Sequence, residues 1–234
     1  MAPRILVVDN SLYPHLFPLA RRWARALAEH GDVEILRAPQ ATSLPEIRQF
    51  THLVLTGSEA SVLRPTPWMQ REAEMLRAAR DTDTRVLGSC FGHELLVWAL
   101  SGPRYLARAA RPEVGRISVE LREQDELLSG LPNPWSVFAF HLVEVVDPPS
   151  PWRVLATSRR CATHVLRYGR APIWGVQAHP EITRRSSEFA MRSHLLWTQR
   201  RGGVPRSTWR RPVGGPQALA ALVAAFVGEA PSIR

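Results

Sequence analysis

The sequence predicts an α/β fold, a mostly parallel central sheet with helices on both faces and an antiparallel extension. Three observations carry this expectation. Over residues 4–102, short apolar runs alternate with stretches of helical periodicity. The runs are too short and too continuously apolar for half-exposed strands, as expected of a sheet covered on both faces. After Gly102 the alternation stops, and strand-like runs follow one another across short polar or proline-rich links.

The elements follow in order. Residues 4–9, RILVVD, read as a buried strand. Residues 16–30 place Leu16, Leu19, Ala20, Trp23, Ala26 and Leu27 at helical spacing, and Gly31 follows as a C-cap. VEILRA (33–38) and THLVLTG (51–57) are the next strands. Pro67 opens a helix over 67–80, with Met69, Ala73, Leu76 and Ala79 roughly on one side. RVLGSC (85–90) reads as a strand and GHELLVWALSG (92–102) as a helix closed by Gly102. The antiparallel part comprises 114–121, 135–141, 153–158, 163–168 and 173–179. Residues 186–200 and 216–228 read as closing helices, joined by a loose 201–215 containing four Gly and two Pro. With no internal repeat and no linker, residues 1–234 read as a single domain.

Composition narrows the function classes. Of 234 residues, 45% are hydrophobic and 22% charged, ordinary values for a globular protein. No run approaches the roughly 18 apolar residues of a membrane span. The start, MAPRILVVDN, lacks the order of a signal peptide, so a cytoplasmic location is expected. The net charge is +9 and every one of the 30 basic residues is Arg, which suggests a GC-rich coding bias. The arginines are scattered among acidic residues except for Arg200, Arg201, Arg206, Arg210 and Arg211. No nucleic-acid-binding motif accompanies them, so a nucleic-acid role is not expected. The two cysteines, Cys90 and Cys161, read as free thiols, Cys161 as a small buried side chain. Without a CxxC pair no structural zinc is expected, and no cofactor is called for.

The chemistry concentrates in two short segments. Gly88-Ser89-Cys90-Phe91-Gly92 joins an apolar strand to an apolar helix. A nucleophile on such a turn stands clear of the sheet, and small neighbours allow the turn and a substrate's approach. The helix N-terminus favours a thiolate. Taken alone, the same residues also fit a buried cysteine between turn glycines. Gln177-Ala178-His179-Pro180-Glu181 follows the last strand-like run. In extended chain, residues i and i+2 point the same way, so Glu181 can reach the His179 ring and hold its tautomer. By itself, HPE also fits a turn with a capping acid. Together, in this order, the segments make Cys90 a candidate nucleophile, His179 its base and Glu181 the orienting acid.

LTGS (55–58), LGSCFGHELL (87–96), VLATS (154–158) and WGVQAHPEI (174–182) then bring a family into view. The chain resembles a class I glutamine amidotransferase domain, of the kind found as stand-alone relatives of the GMP synthetase amidotransferase. The resemblance implies hydrolysis of the glutamine side-chain amide through a γ-glutamyl thioester, with release of ammonia. It places Cys90, His179 and Glu181 on the catalytic triad. It implies an oxyanion hole of backbone N–H groups from Phe91 and from Gly57 or Ser58. Family members usually carry Gln where this chain has Glu94, a position beside the bound glutamine. They often carry a Ser-His-x-Asp-x-Val-like segment where Phe140-His141-Leu142-Val143-Glu144-Val145 stands here. Glu94, His141 and Leu142 are therefore candidate substrate-binding residues, His141 as pocket wall or core, and they put the preference for free glutamine in question.

No GxxxxGK[ST] phosphate loop, dinucleotide GxGxxG or synthetase domain occurs in the sequence. Any ammonia acceptor would have to be activated by a separate synthase. Three functions remain open: a glutaminase subunit serving such a synthase, a free-standing γ-glutamyl hydrolase or transpeptidase, and a non-catalytic regulator on the same fold.

Overall fold

A computed structural model describes residues 2–182 and 216–229. Among the described residues nine strands form one sheet: β1 (Arg4–Asp9), β2 (Asp32–Arg37), β3 (His52–Leu55), β4 (Arg85–Ser89), β5 (Leu106–Leu121), β6 (Trp135–Val145), β7 (Trp152–Ser158), β8 (Val165–Tyr168) and β9 (Ile173–Val176). Their spatial order is β2-β1-β3-β4-β9-β8-β7-β5-β6. From β2 to β9 neighbouring strands are parallel, and from β9 to β6 they are antiparallel. The expected mixed sheet is present, with β9 seated between its two halves.

The α-helices among the described residues are α1 (Leu19–Leu27), α2 (Pro67–Ala79), α3 (Phe91–Ser101) and α4 (Pro216–Val227). Met69, Ala73 and Leu76 of α2 pack with Leu95 and Leu96 of α3 on one sheet face, against Leu6, Val8, Leu53 and Leu55. Trp23 and Leu27 of α1 pack with Leu222 and Phe226 of α4 on the other, against Ile5, Val7, Val54 and Trp174. Consecutive residues of β1 and β3 thus feed two opposite cores. This explains their continuous apolar runs.

Some bounds differ from the sequence reading. The first helix starts at Leu19, not at residue 16, and Leu16 is exposed. Pro18 disfavours helical geometry at Phe17, so the apolar spacing there overstates the helix. β5 and β6 run longer than expected, to 16 and 11 residues. The first part of β5, LARAARPE, shows no alternation and contains Pro112. Its pairing with β6 shifts register between Arg108 and Glu113, an irregularity that accommodates a proline in a strand. The expected helix 186–200, the loose segment 201–215 and the arginine group at 200–211 lie outside the described residues. Among the described residues no helix is long and apolar enough to cross a membrane.

Candidate active site

The parallel strands β4 and β9 are adjacent and end level, with Ser89 opposite Val176. The chain leaving β4 turns into α3 at Cys90, and the chain leaving β9 runs on through Gln177 to Glu181. The Cys90 N–H donates to the Val176 carbonyl at 2.8 Å, joining the two segments. The His179 N–H donates to the Phe138 carbonyl of β6, also at 2.8 Å. Segments far apart in sequence therefore meet at one strand end, where open α/β sheets place their ligands.

Cys90 sits at φ 52° and ψ −107°, the first residue before α3. A residue with a side chain held at positive φ carries strain that the surroundings must hold in place. The glycines on either side explain how. A methyl group on Gly88 would lie 2.5 Å from the Gly92 carbonyl carbon, and one on Gly92 would lie 2.6 Å from the Leu55 carbonyl oxygen. The turn is thus packed backbone against backbone, which presents Cys90 at the N-terminus of α3.

His179 and Glu181 are both buried, and their Nδ1 and Oε1 atoms are 2.8 Å apart. His179 Nδ1–H donates to the carboxylate. Cys90 and the ring act on one another through charge. Burial pushes the Cys90 thiol above its ordinary value, and the facing His179 pulls it down by less. Burial also disfavours a charged His179, but Cys90 and Glu181 together outweigh it and raise the ring well above its ordinary value. The two groups hold a proton jointly, so a thiolate here exists with an imidazolium, and Glu181 favours that imidazolium. The Cys90 thiol otherwise donates to the Phe140 carbonyl at 3.4 Å.

The remaining expected residues are distributed around this pair. Gly57 borders the histidine: a methyl group there would lie 2.6 Å from His179 Cε1. Ser58 follows, its hydroxyl accepting from the Ala60 N–H at 3.0 Å. Phe91 is buried at the first turn of α3. Glu94 is only 4% exposed and takes a hydrogen bond from Gln177 Nε2 at 3.0 Å. Burial raises its carboxyl to about 7, with Gln177 opposing. Its charge is felt at Cys90. Of the two candidates on β6, His141 turns inward, its Nδ1–H donating to the Val143 carbonyl at 2.9 Å and its Nε2 lying 3.2 Å from Glu113. Leu142, next along the strand, faces out at 39% exposure.

Sequence reasoning did not single out Ser89, whose hydroxyl lies 3.1 Å from the Ala178 carbonyl and 3.4 Å from Glu181 Oε2. It also missed the Phe140 carbonyl and Gln177, although Ser89 and Gln177 stand inside the quoted motifs. The sign was their adjacency to the reactive residues.

Comparisons with known proteins show the family to which the chain belongs. The family profile described as glutamine amidotransferase class-I matches residues 19–196. A glutamine-hydrolyzing GMP synthase subunit from Methanosarcina mazei is 31% identical over 192 residues, covering 80% of this chain and 93% of that protein. Its counterpart from Saccharolobus solfataricus, of the same name, is 30% identical over 152 residues, covering 65% and 77%. In fold, the chain is similar to a glutamine amidotransferase from Thermotoga maritima, with a TM-score of 0.78 at 18% identity over 98% of this chain and 100% of that one. With the profile spanning most of its length, the chain belongs to the class I glutamine amidotransferase family.

Proposed function

We propose that this protein hydrolyses the side-chain amide of glutamine to glutamate and ammonia through a γ-glutamyl thioester on Cys90, and passes the ammonia to a separate synthase. The observation that carries the reading is the buried 2.8 Å contact between His179 and Glu181 behind a cysteine strained at φ 52°. The Cys90 thiolate attacks the amide carbon. The oxygen that gains charge is held by N–H groups of Phe91 and of Gly57 or Ser58, which are already oriented where charge develops. His179 protonates the departing nitrogen, the C–N bond breaks, and ammonia leaves behind a thioester. His179 then takes a proton from water, which attacks the thioester and releases glutamate and the thiolate. Glu181 keeps the ring in the tautomer this cycle needs. Relatives named as one subunit of a glutamine-hydrolyzing GMP synthase support the separate partner.

Glu94 supports a second reading, hydrolysis or transfer of other γ-glutamyl compounds. Placed against a substrate's amino-acid end, this buried carboxylate attracts an α-ammonium and repels a carboxylate. Incubating the pure protein with glutamine and with a set of γ-glutamyl amides, and measuring ammonia and glutamate, separates the readings. Turnover of glutamine, with ammonia reaching an added synthase in preference to bulk ammonium, supports the first. Amide turnover without glutamine turnover would refute it in favour of the second.

A further inference from the structure

Next to Phe140 along β6, three side chains converge that the proposed reaction does not use. Glu113 and His141 are paired residues of the antiparallel ladder between β5 and β6, so their side chains share a face. His164 enters from the residue before β8. All three are buried, at 4%, 3% and 0% exposure. His141 Nε2 lies 3.2 Å and His164 Nε2 3.3 Å from the same carboxylate oxygen, Glu113 Oε2. One donor atom from each residue falls within 4.8 Å of the others.

We propose that Glu113, His141 and His164 bind one divalent transition-metal ion of the zinc class. The geometry points there. His141 Nδ1–H donates to the Val143 carbonyl, which turns Nε2 toward the Glu113 carboxylate. His164 is fully buried, and neither of its ring nitrogens makes a well-aligned hydrogen bond. A buried nitrogen without a well-aligned partner is costly, and a cation between the three groups would satisfy His164 Nε2. The two spacings from Glu113 Oε2, 3.2 and 3.3 Å, fit as well. Ligands about 2.0–2.1 Å from a tetrahedral zinc stand about 3.3 Å apart. The outer contacts are those that orient metal ligands: the backbone carbonyl holding His141, and the Ser158 hydroxyl donating to Glu113 Oε1 at 2.7 Å. Two imidazoles and a carboxylate suit zinc, cobalt or nickel better than magnesium or calcium. The fourth position is left for water. The sequence expectation of no zinc rested on cysteine spacing, which cannot register a set drawn from two strands and a loop. An ion here ties β5, β6 and the start of β8 together directly beside the carbonyl that receives the Cys90 thiol.

The test uses the full chain stripped of metal and titrated with Co2+ and with Zn2+. One equivalent of Co2+ binds with visible d–d bands of a four- or five-coordinate site and no thiolate charge-transfer band. Binding is unchanged in Cys90→Ala and weakened at least about 100-fold in Glu113→Gln and His164→Gln. Because these variants can fail to fold, X-ray absorption on zinc-loaded wild-type protein gives an independent reading: two imidazoles, light-atom ligands and no sulfur. A folded wild-type chain that takes up no stoichiometric ion, a sulfur ligand in that spectrum, or binding lost in Cys90→Ala overturns the proposal.

Discussion

At the scale of the residue, the reaction depends on which groups hold protons at Cys90, His179 and Glu94. Cys90→Ala should abolish glutamine turnover, and His179→Ala should lower it by about a thousandfold or more, because the triad acts as a unit. Glu181→Gln should lose less, since an amide still orients the ring. Steady-state ammonia release checks all three. Glu94 adds a pH signature. Its carboxyl titrates at about 7 instead of 4.5 because it is buried. It is mostly neutral below that pH and anionic above it. Glu94→Gln should therefore remove an ionisation near neutrality from the pH dependence of kcat/KM and alter the ranking of γ-glutamyl substrates. The same group carries a stability signature. A folded carboxyl with a raised pKa binds protons that the unfolded chain releases, so stability falls as pH rises from about 4.5 to about 7. Glu94→Gln should make thermal melts less pH-dependent across that window. An unchanged slope together with an unchanged rate profile would remove Glu94 from the site.

At the scale of the element, the strand-to-helix turn decides whether the nucleophile is presented at all. Gly92 lies in α3, where alanine would ordinarily stabilise a helix by about 1 kcal/mol. Here a methyl group would meet the Leu55 carbonyl oxygen at 2.6 Å. Gly92→Ala should thus lower Tm and turnover together, and a variant with raised Tm and full activity would contradict the close packing. This turn was legible in the sequence from the glycines that flank Cys90 between two apolar runs, although its reactive role needed the second segment around His179. So were β1, β3 and β4, whose continuous apolar runs reflect burial on two faces. The antiparallel half was less legible. Pro112 and the unpatterned arginines around it concealed the start of β5, which exists through its pairing with β6. His141 illustrates the same limit: its place was recognised by resemblance, but its orientation toward Glu113 and His164 follows from strand register. The contact of Ser89 with Glu181 likewise depends on β4 and β9 being neighbours, which no local pattern encodes.

At the scale of the whole molecule, chain segments far apart in sequence complete the core on one sheet face. α4 returns to the sheet beside α1 and buries Leu222, Val223 and Phe226. Arg85 of β4 fastens it: Nε donates to the Phe226 carbonyl at 2.6 Å, Nη2 reaches Glu126 at 3.1 Å, and the guanidinium stacks 4.9 Å from the Trp174 ring centroid. A cation at the end of a helix also complements its dipole. Arg85→Ala should cost about 1–3 kcal/mol, since it leaves the helix-end carbonyl without its partner. That corresponds to a fall in Tm of roughly 2–12 °C for a chain of this size. A melt within a degree of wild type would show that α4 is held by its apolar face alone.

The central claim is a covalent intermediate on Cys90, and a glutamine analogue bearing a diazo-ketone in place of the amide tests it most directly. The protein is incubated with the analogue, digested, and the modified peptide located by mass spectrometry, with excess glutamine as competitor. The account predicts one label per chain, on Cys90, suppressed by glutamine and accompanied by loss of ammonia release. A label on Cys161, or an unlabelled Cys90 in a preparation that turns over glutamine, would contradict it.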